Sequence, residues 1–370
     1  MPVCFRHPRQ WMMVAMRRLK WLIATLLLFA TIGAVYQIVG MVLDRRQYPA
    51  PGQMVDVGGH RLHVYCMGSG SPTVILEAAA PGWSSYWSLV QPEVARHTRV
   101  CAYDRAGLGW SERGPLPRTG QRMARELHRL LGRAEIHGPY VLVGHSLGGL
   151  IVRLYHHDHP KEVAGIVLVD AGQELELHRP EFRAFVNSGK ASLSLIRAMT
   201  ILGIPRLAAF FDRLPSFLLW QEAQVPEPTR PLLRAGWLRT SYARTVGDEA
   251  EALSDTLHQV QRIGSLGDLP LVVLTATGPA WWPDMPGEVN PQKFRTMWLG
   301  LQQDLTRLSS NSTQVFAERS SHFIQFDQPE LVVDAIRQLI DRERNAPPQR
   351  GAFPADKVMS AGKESRAPSS

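Results

Sequence analysis

Hydrophobic and polar positions change rhythm several times along this chain. From Trp21 to Leu43 no residue is charged, and Thr25, Thr31, Tyr36 and Gln37 are the polar interruptions, a length that spans a bilayer core. The period then falls to two. Met54–Val57 and Arg61–Tyr65 alternate around Gly58-Gly59 and predict a hairpin. Apolar, β-branched runs at Thr73–Leu76, Arg99–Tyr103, Tyr140–Val143 and Gly165–Val169 predict strands, with helical spacing over Arg122–Leu131 and again after Ser146. Between Ala171 and Asp268 the patterns are helical, with several prolines and no convincing strand. Strands return at Leu271–Leu274 and Gln314–Ala317, and helices at Pro291–Leu308 and Pro329–Arg342.

Alternating strands and helices imply an α/β fold, here a mostly parallel eight-stranded sheet with helices on both faces and an antiparallel hairpin at its start. The domain organisation that follows has a basic segment over 1–20, a transmembrane anchor over 21–43 and an α/β domain over 53–343. A helical lid is inserted in that domain at 171–268, and a tail over 345–370, rich in Pro, Ala, Ser and charge, is expected to be disordered. Within the lid, Ile196–Trp220 holds Ile201, Leu202, Ile204, Leu207, Phe210 and Phe211, more apolar surface than a small lid hides from water. Part of it is expected to face an acyl pocket and part to touch the bilayer. Arg230, Arg234 and Arg239 with Trp237 are expected on an exposed lid face.

Charge decides orientation. Arg6, Arg9, Arg17, Arg18 and Lys20 precede the apolar span with no acid among them, whereas Asp44, Arg45 and Arg46 follow it. The excess of positive charge keeps the N-terminus cytoplasmic and places the remaining chain outside the cytoplasm. A cleaved signal peptide is the competing reading, but Ile32 and Ala34 make a poor cleavage site and the stretch exceeds a usual signal core. The net charge of +8 does not imply nucleic acid, because the arginines are scattered with no run interleaved by aromatics. Three cysteines do not make a disulfide framework. Cys66 and Cys101 are able to pair in an oxidising compartment if their strands are neighbours, and two buried free thiols are the slightly preferred reading.

Candidate chemistry centres on Val141-Leu-Val-Gly-His-Ser-Leu-Gly-Gly149, which sets Ser146 on a turn between strand and helix. Gly144 and Gly148 flank it where a Cβ would crowd the turn, the G-x-S-x-G pattern of a nucleophile elbow. A serine hydroxyl is a weak nucleophile at neutral pH and needs a histidine base oriented by a carboxylate. Of the histidines after Ser146, His156, His157 and His159 sit on the elbow's own helix or its end, and His178 and His258 fall in the lid. His322, in a loop after the last strand, is the one that sheet topology returns to the elbow. Asp170, ending Ile166-Val-Leu-Val-Asp170 beside the elbow strand, is the preferred acid; Asp284 is the alternative and Asp304 a distant third. For the oxyanion, Leu147 supplies one backbone N–H and the loop Glu77-Ala78-Ala79-Ala80-Pro81-Gly82 the second, assigned to Ala79 with Ala80 as the alternative. His156-His157-Asp158-His159 is not read as a metal site, since neighbouring residues on a helix point apart.

Taken together these elements resemble the α/β-hydrolase fold superfamily over roughly 53–343. Cys101-Ala-Tyr-Asp-Arg-Ala-Gly-Leu-Gly-Trp-Ser111 is similar to the D-x-x-G-x-G-x-S segment after the fourth strand of those enzymes, and His322-Phe-Ile-Gln-Phe-Asp-Gln-Pro-Glu330 to their histidine loop. The resemblance implies a structural role for Asp104 and puts Cys66 and Cys101 on adjacent strands. Two departures stand out: Glu77-Ala78 occupies the place where many members carry His-Gly, and the acid expected after the seventh strand is absent. Members that take the acid from strand six match Asp170. Together with the apolar span, the resemblance implies a membrane-anchored serine hydrolase acting on carboxylic esters or related acyl compounds, with no cofactor and a small, hydrophobic acyl substrate. The serine argues against haloalkane dehalogenase and epoxide hydrolase chemistry, which uses an aspartate nucleophile in this fold. Acyl transfer, cofactor-free perhydrolysis and a non-catalytic ligand-binding homologue are the alternatives.

Overall fold

A computed structural model describes residues 8–279 and 289–346 of the chain. The eight strands are β1 (Gln53–Asp56), β2 (Arg61–Met67), β3 (Thr73–Glu77), β4 (Val100–Tyr103), β5 (Tyr140–His145), β6 (Val163–Val169), β7 (Leu271–Ala276) and β8 (Ser312–Ala317). They form one sheet in the order β1-β2-β4-β3-β5-β6-β7-β8. β2 runs antiparallel to β1 and β4, and every other pairing is parallel. β5 and β7 are buried at every position because helices cover both faces, which is why their sequences read as unbroken apolar runs. β8 sits at the edge and is only partly covered.

The helices are α1 (Pro8–Gln47), α2 (Gln91–Val94), α3 (Gly120–Arg133), α4 (Leu147–Asp158), α5 (Pro180–Ile201), α6 (Ile204–Phe210), α7 (Ser216–Gln224), α8 (Arg230–Trp237), α9 (Thr240–Glu251), α10 (Leu253–Gln261), α11 (Pro291–Leu305), α12 (Ile324–Asp327) and α13 (Pro329–Asn345). α3 shows how sequence becomes packing. Thr119 caps its first turn by accepting from the Arg122 amide, and Met123, Leu127, Leu130 and Leu131, three or four residues apart, are buried in the core shared with the sheet. The insertion between β6 and β7 is built of helices, α5 to α10, joined by turns and loops.

Two expectations need correction. Cys66 and Cys101 stand directly opposite each other in the β2–β4 register and are joined by a disulfide, with Cα atoms 4.0 Å apart. The preference for free thiols therefore fails, because an antiparallel pair turns two opposed side chains to the same face. The predicted exposed lid face is also wrong in part. Trp237 and Arg239 are buried: the Trp237 ring packs edge-on at 6.4 Å from Trp83, and the Arg239 guanidinium donates to the Gly109 carbonyl. Arg234 holds Glu222 and Asp212 instead of facing water alone. α1 starts at Pro8, so one helix runs from the basic segment into the apolar span. Among the described residues α1 is the one unbroken helix long and apolar enough to cross a membrane. The tail beyond residue 346 and Asp284 lie outside the described residues.

Candidate active site

The sheet delivers two chain reversals to one place. At the end of β5, Ser146 adopts φ 52° and ψ −118°, a backbone conformation that side chains rarely take, and Leu147 opens α4 immediately after it. The turn is held by the Ser146 amide donating to Val169 and by the Gly149 and Gly172 amides donating to the Ser146 carbonyl. The flanking glycines are sterically required. A Cβ on Gly144 would lie 2.6 Å from the Gly148 carbonyl oxygen, and one on Gly148 would lie 2.5 Å from that of Glu77.

One strand over, Asp170 follows β6 with φ 39°, its amide donating to Leu274. Its two carboxylate oxygens do separate work. Oδ1 accepts from the Ala276 amide at 3.0 Å, which locks the acid to the end of β7, and Oδ2 lies 2.6 Å from His322 Nδ1. The strand-end cap and the imidazole partner are thus the same residue. His322 is buried in the loop between β8 and α12, and that loop is braced by Ser321 donating to Asp327 and Ser320 to Gln328. The third-ranked acid, Asp304, is instead paired with Arg307 on its own helix end.

Ser146 and His322 line one cavity of about 350 Å³. Leu147 and Ala80 reach the same cavity, whereas the Ala79 side chain is buried outside its lining. The insertion closes the other side with Phe182, Leu193 and Phe217, so the walls are largely apolar. Two carboxyl groups nevertheless face this space. Glu176 is buried, its Oε1 accepts the Gln173 amide, and burial pushes its pKa up to about 8, opposed by that hydrogen bond and assisted by Glu174. Glu249, from the insertion, is tied to Arg105.

Arg105 was not foreseen, although it sits inside the Asp104-Arg105-Ala106-Gly107 segment that was. It reaches beneath the loop after β3, donating to the Ala78 and Ala79 carbonyls at 2.6 and 2.9 Å and to Glu77 Oε1 at 2.7 Å. Burial opposes its charge, but Glu249 and Glu77 more than compensate and raise its pKa. Burial likewise raises the Glu77 carboxyl, against the pull of Arg105 and the Tyr103 hydroxyl. This explains the Glu77-Ala78 departure: the acid anchors an internal guanidinium. His145, also missed, was hidden as the variable letter before Ser146. Gln325 donates to its Nδ1 at 3.0 Å, so its Nε2–H donates to the His322 carbonyl at 2.9 Å. Burial, and the proximity of His322, push its pKa well below the ordinary value and keep it neutral.

Asp104 is structural, as the resemblance implies. It accepts from the Ser84 and Trp110 amides at 2.9 and 2.8 Å and pairs with buried His63 at 3.0 Å. Of the histidine-rich helix end, His159 stacks on His128 at 3.7 Å near Glu162, a surface group outside the cavity lining whose spacing would suit a metal ion.

Comparison with known proteins identifies the fold and the family. The family model for the alpha/beta hydrolase fold matches residues 72–329. An AB hydrolase superfamily protein of Gibberella zeae is 27% identical over 283 residues, covering 73% of this chain and 86% of that protein. Against two other curated relatives the chain spans only part of their length, 24% of one and 51% of the other. Among solved structures, a thermophilic esterase from Thermogutta terrifontis superposes with a TM-score of 0.54 at 20% identity, covering 78% of this chain and 98% of that one. The epoxide hydrolase CorEH does so with a TM-score of 0.57 at 18% identity, covering 79% and 99%. Likenesses at this identity speak for the fold alone. With more than half of the chain inside the family model and the sheet order, elbow and histidine loop in place, this protein belongs to the α/β-hydrolase fold family.

Proposed function

We propose that this protein is a serine hydrolase that cleaves carboxylic esters or related acyl compounds through an acyl-enzyme on Ser146. The observation that carries the reading is the 2.6 Å contact between His322 Nδ1 and Asp170 Oδ2 at the edge of a cavity that Ser146 also lines. Asp170 holds the Nδ1–H tautomer, which leaves Nε2 with a lone pair to take the Ser146 proton as the oxygen attacks the acyl carbon. The Leu147 amide, at the start of α4, and the Ala79 amide stabilise the tetrahedral oxyanion. His322 then returns the proton to the departing alcohol, and a water molecule, activated the same way, releases the acid. An apolar cavity suits a hydrophobic acyl group.

The N-terminal helix serves as a membrane anchor with its basic end in the cytoplasm and the α/β domain on the opposite side. The charge difference across the span supports that orientation. A Cys66–Cys101 disulfide supports it independently, because such bonds persist in oxidising compartments. The insertion acts as a lid over the cavity. Ester turnover by purified Ser146→Ala and His322→Ala variants tests the reading: both are expected to lose activity while staying folded, and substantial turnover by either would refute it.

A further inference from the structure

The second half of α1 and the corner between α5 and α6 form one unit. Leu193–Ile201 and Ile204–Phe210 meet at 75°, turning at Gly203, whose φ of 71° favours glycine. Around this corner Leu195, Ile201, Leu202, Leu207, Phe210 and Phe211 are exposed, Phe210 by 75%. A contiguous apolar surface of this kind marks an interaction site. What lies against it is the helix long enough to cross a membrane. A Cβ on Gly33 would come within 2.4 Å of the Leu202 carbonyl oxygen, and one on Gly40 within 2.5 Å of the Arg206 side chain. Arg206 bonds Gln37 at 3.1 Å and Asp44 at 2.7 Å, while Gln37 donates to the Leu238 carbonyl at 2.6 Å.

These contacts set depth. Asp44 ends the apolar run and belongs at the headgroup level; Gly33 lies eleven residues earlier, roughly 16 Å along the helix. Leu202, touching Gly33, then stands about halfway through a hydrocarbon core of about 30 Å. Arg206 reaches back along the helix to Asp44, as a long cationic side chain does near a membrane surface. The same α5 that bears Leu195 on the exposed side contributes Leu193 to the cavity wall.

We propose that the α5–α6 corner is embedded in the bilayer leaflet that holds the second half of α1, and that the cavity draws its acyl ester from that leaflet. The membrane seating rests on the contacts above and on the reading of α1 as a membrane anchor; the ester part rests on the hydrolase reading. Continuity with α1 selects lipid acyl chains as the occupant of the exposed face.

The test uses the full chain in phosphatidylcholine vesicles, with Cys4→Ser as background and an environment-sensitive fluorophore on Phe210→Cys. Lipids brominated on their acyl chains are expected to quench this reporter and to leave the same label on exposed Lys161→Cys unaffected. No quenching at residue 210 overturns the proposal, and so does quenching lost to cross-linking between two copies, which would make the occupant a second chain. In parallel, Phe210→Asp with Phe211→Asp is expected to lower kcat/KM for a vesicle-borne long-chain ester about tenfold while short soluble esters turn over as before. Equal loss on both substrates, or on neither, overturns delivery from the leaflet. Quenching without any ester turnover by the parent protein would retain the seating and refute the hydrolase reading instead.

Discussion

Arg105 grips Glu249 through Nε and Nη2 at 2.8 and 3.1 Å, and so ties the helical insertion to the loop that bears Ala78 and Ala79. One guanidinium holds the two carboxylates and both carbonyls, all away from water. Lysine, a point charge, cannot reproduce that fork. Arg105→Lys keeps the charge but leaves part of this set of acceptors unpaired, and is therefore expected to lower stability by about 1–3 kcal/mol. Glu249→Gln keeps an acceptor on the same stem and should cost less. Urea melts of the two variants decide between them; equal stabilities would mean the pair is not what holds the loop. Because the carbonyls positioned by Arg105 belong to the proposed oxyanion loop, kcat should fall more than KM changes in whichever variant remains folded.

Asp170→Asn is expected to reduce ester turnover by roughly a thousandfold or more, since an amide favours the wrong imidazole tautomer. Oδ1 can still cap the Ala276 amide, so the fold should survive. Asp304→Asn should change turnover little, its carboxylate being committed to Arg307. Steady-state kinetics on these variants and on Asp284→Asn check the assignment; a larger loss for Asp284→Asn would transfer the role.

Gly148→Ala drives a methyl into the Glu77 and Ala78 carbonyls, whose oxygens would lie 2.5 and 2.9 Å from its Cβ. Overpacking against backbone should cost about 1–3 kcal/mol and displace the oxyanion loop, lowering kcat. Gly132→Ala is the control: a Cβ there meets nothing within 4 Å, and in α3 it should raise stability by up to about 1 kcal/mol. Thermal denaturation of both variants measures the contrast, and an unchanged Gly148→Ala would refute the steric account of the elbow.

Much of the local geometry was legible because the turn around Ser146 and the end of β6 leave plain signals in the sequence. Gly144 and Gly148 announce a turn that excludes side chains, and an apolar run ending in Asp170 places an acid at a strand tip. The resemblance set the second strand beside the fourth, and the loop after the last strand was expected to return His322 towards the elbow. What stayed hidden depends on distances no local pattern encodes. Glu249 lies 144 positions from Arg105, and Gln325 lies 180 from His145, so their pairing emerges only when the insertion and the histidine loop fold back. Trp237 and Arg239 were misread for the same reason: helical spacing reports which face is apolar, but not that Trp83 and Gly109 cover a polar one.

Glu176 makes stability depend on pH. Its folded carboxyl titrates at about 8, above the ordinary value of 4.5. Between those values the folded state binds more protons than the unfolded chain, so stability falls as pH rises through this window and levels off above it. Glu176→Gln removes the titration while keeping an acceptor for the Gln173 amide. The variant should match the parent near pH 4 and exceed it above pH 8, by an amount on the order of a few kcal/mol. Urea unfolding at both ends of the window tests this, and a constant difference between the two proteins would contradict it.

On the proposed function, Ser146 is an activated nucleophile. A fluorophosphonate probe reacts with such a serine and with few others, and peptide mass spectrometry locates the adduct. The account predicts stoichiometric labelling at Ser146 of the full-length protein, lost in both Ser146→Ala and His322→Ala. A folded protein that takes no label at Ser146, or whose labelling is untouched by His322→Ala, would contradict it.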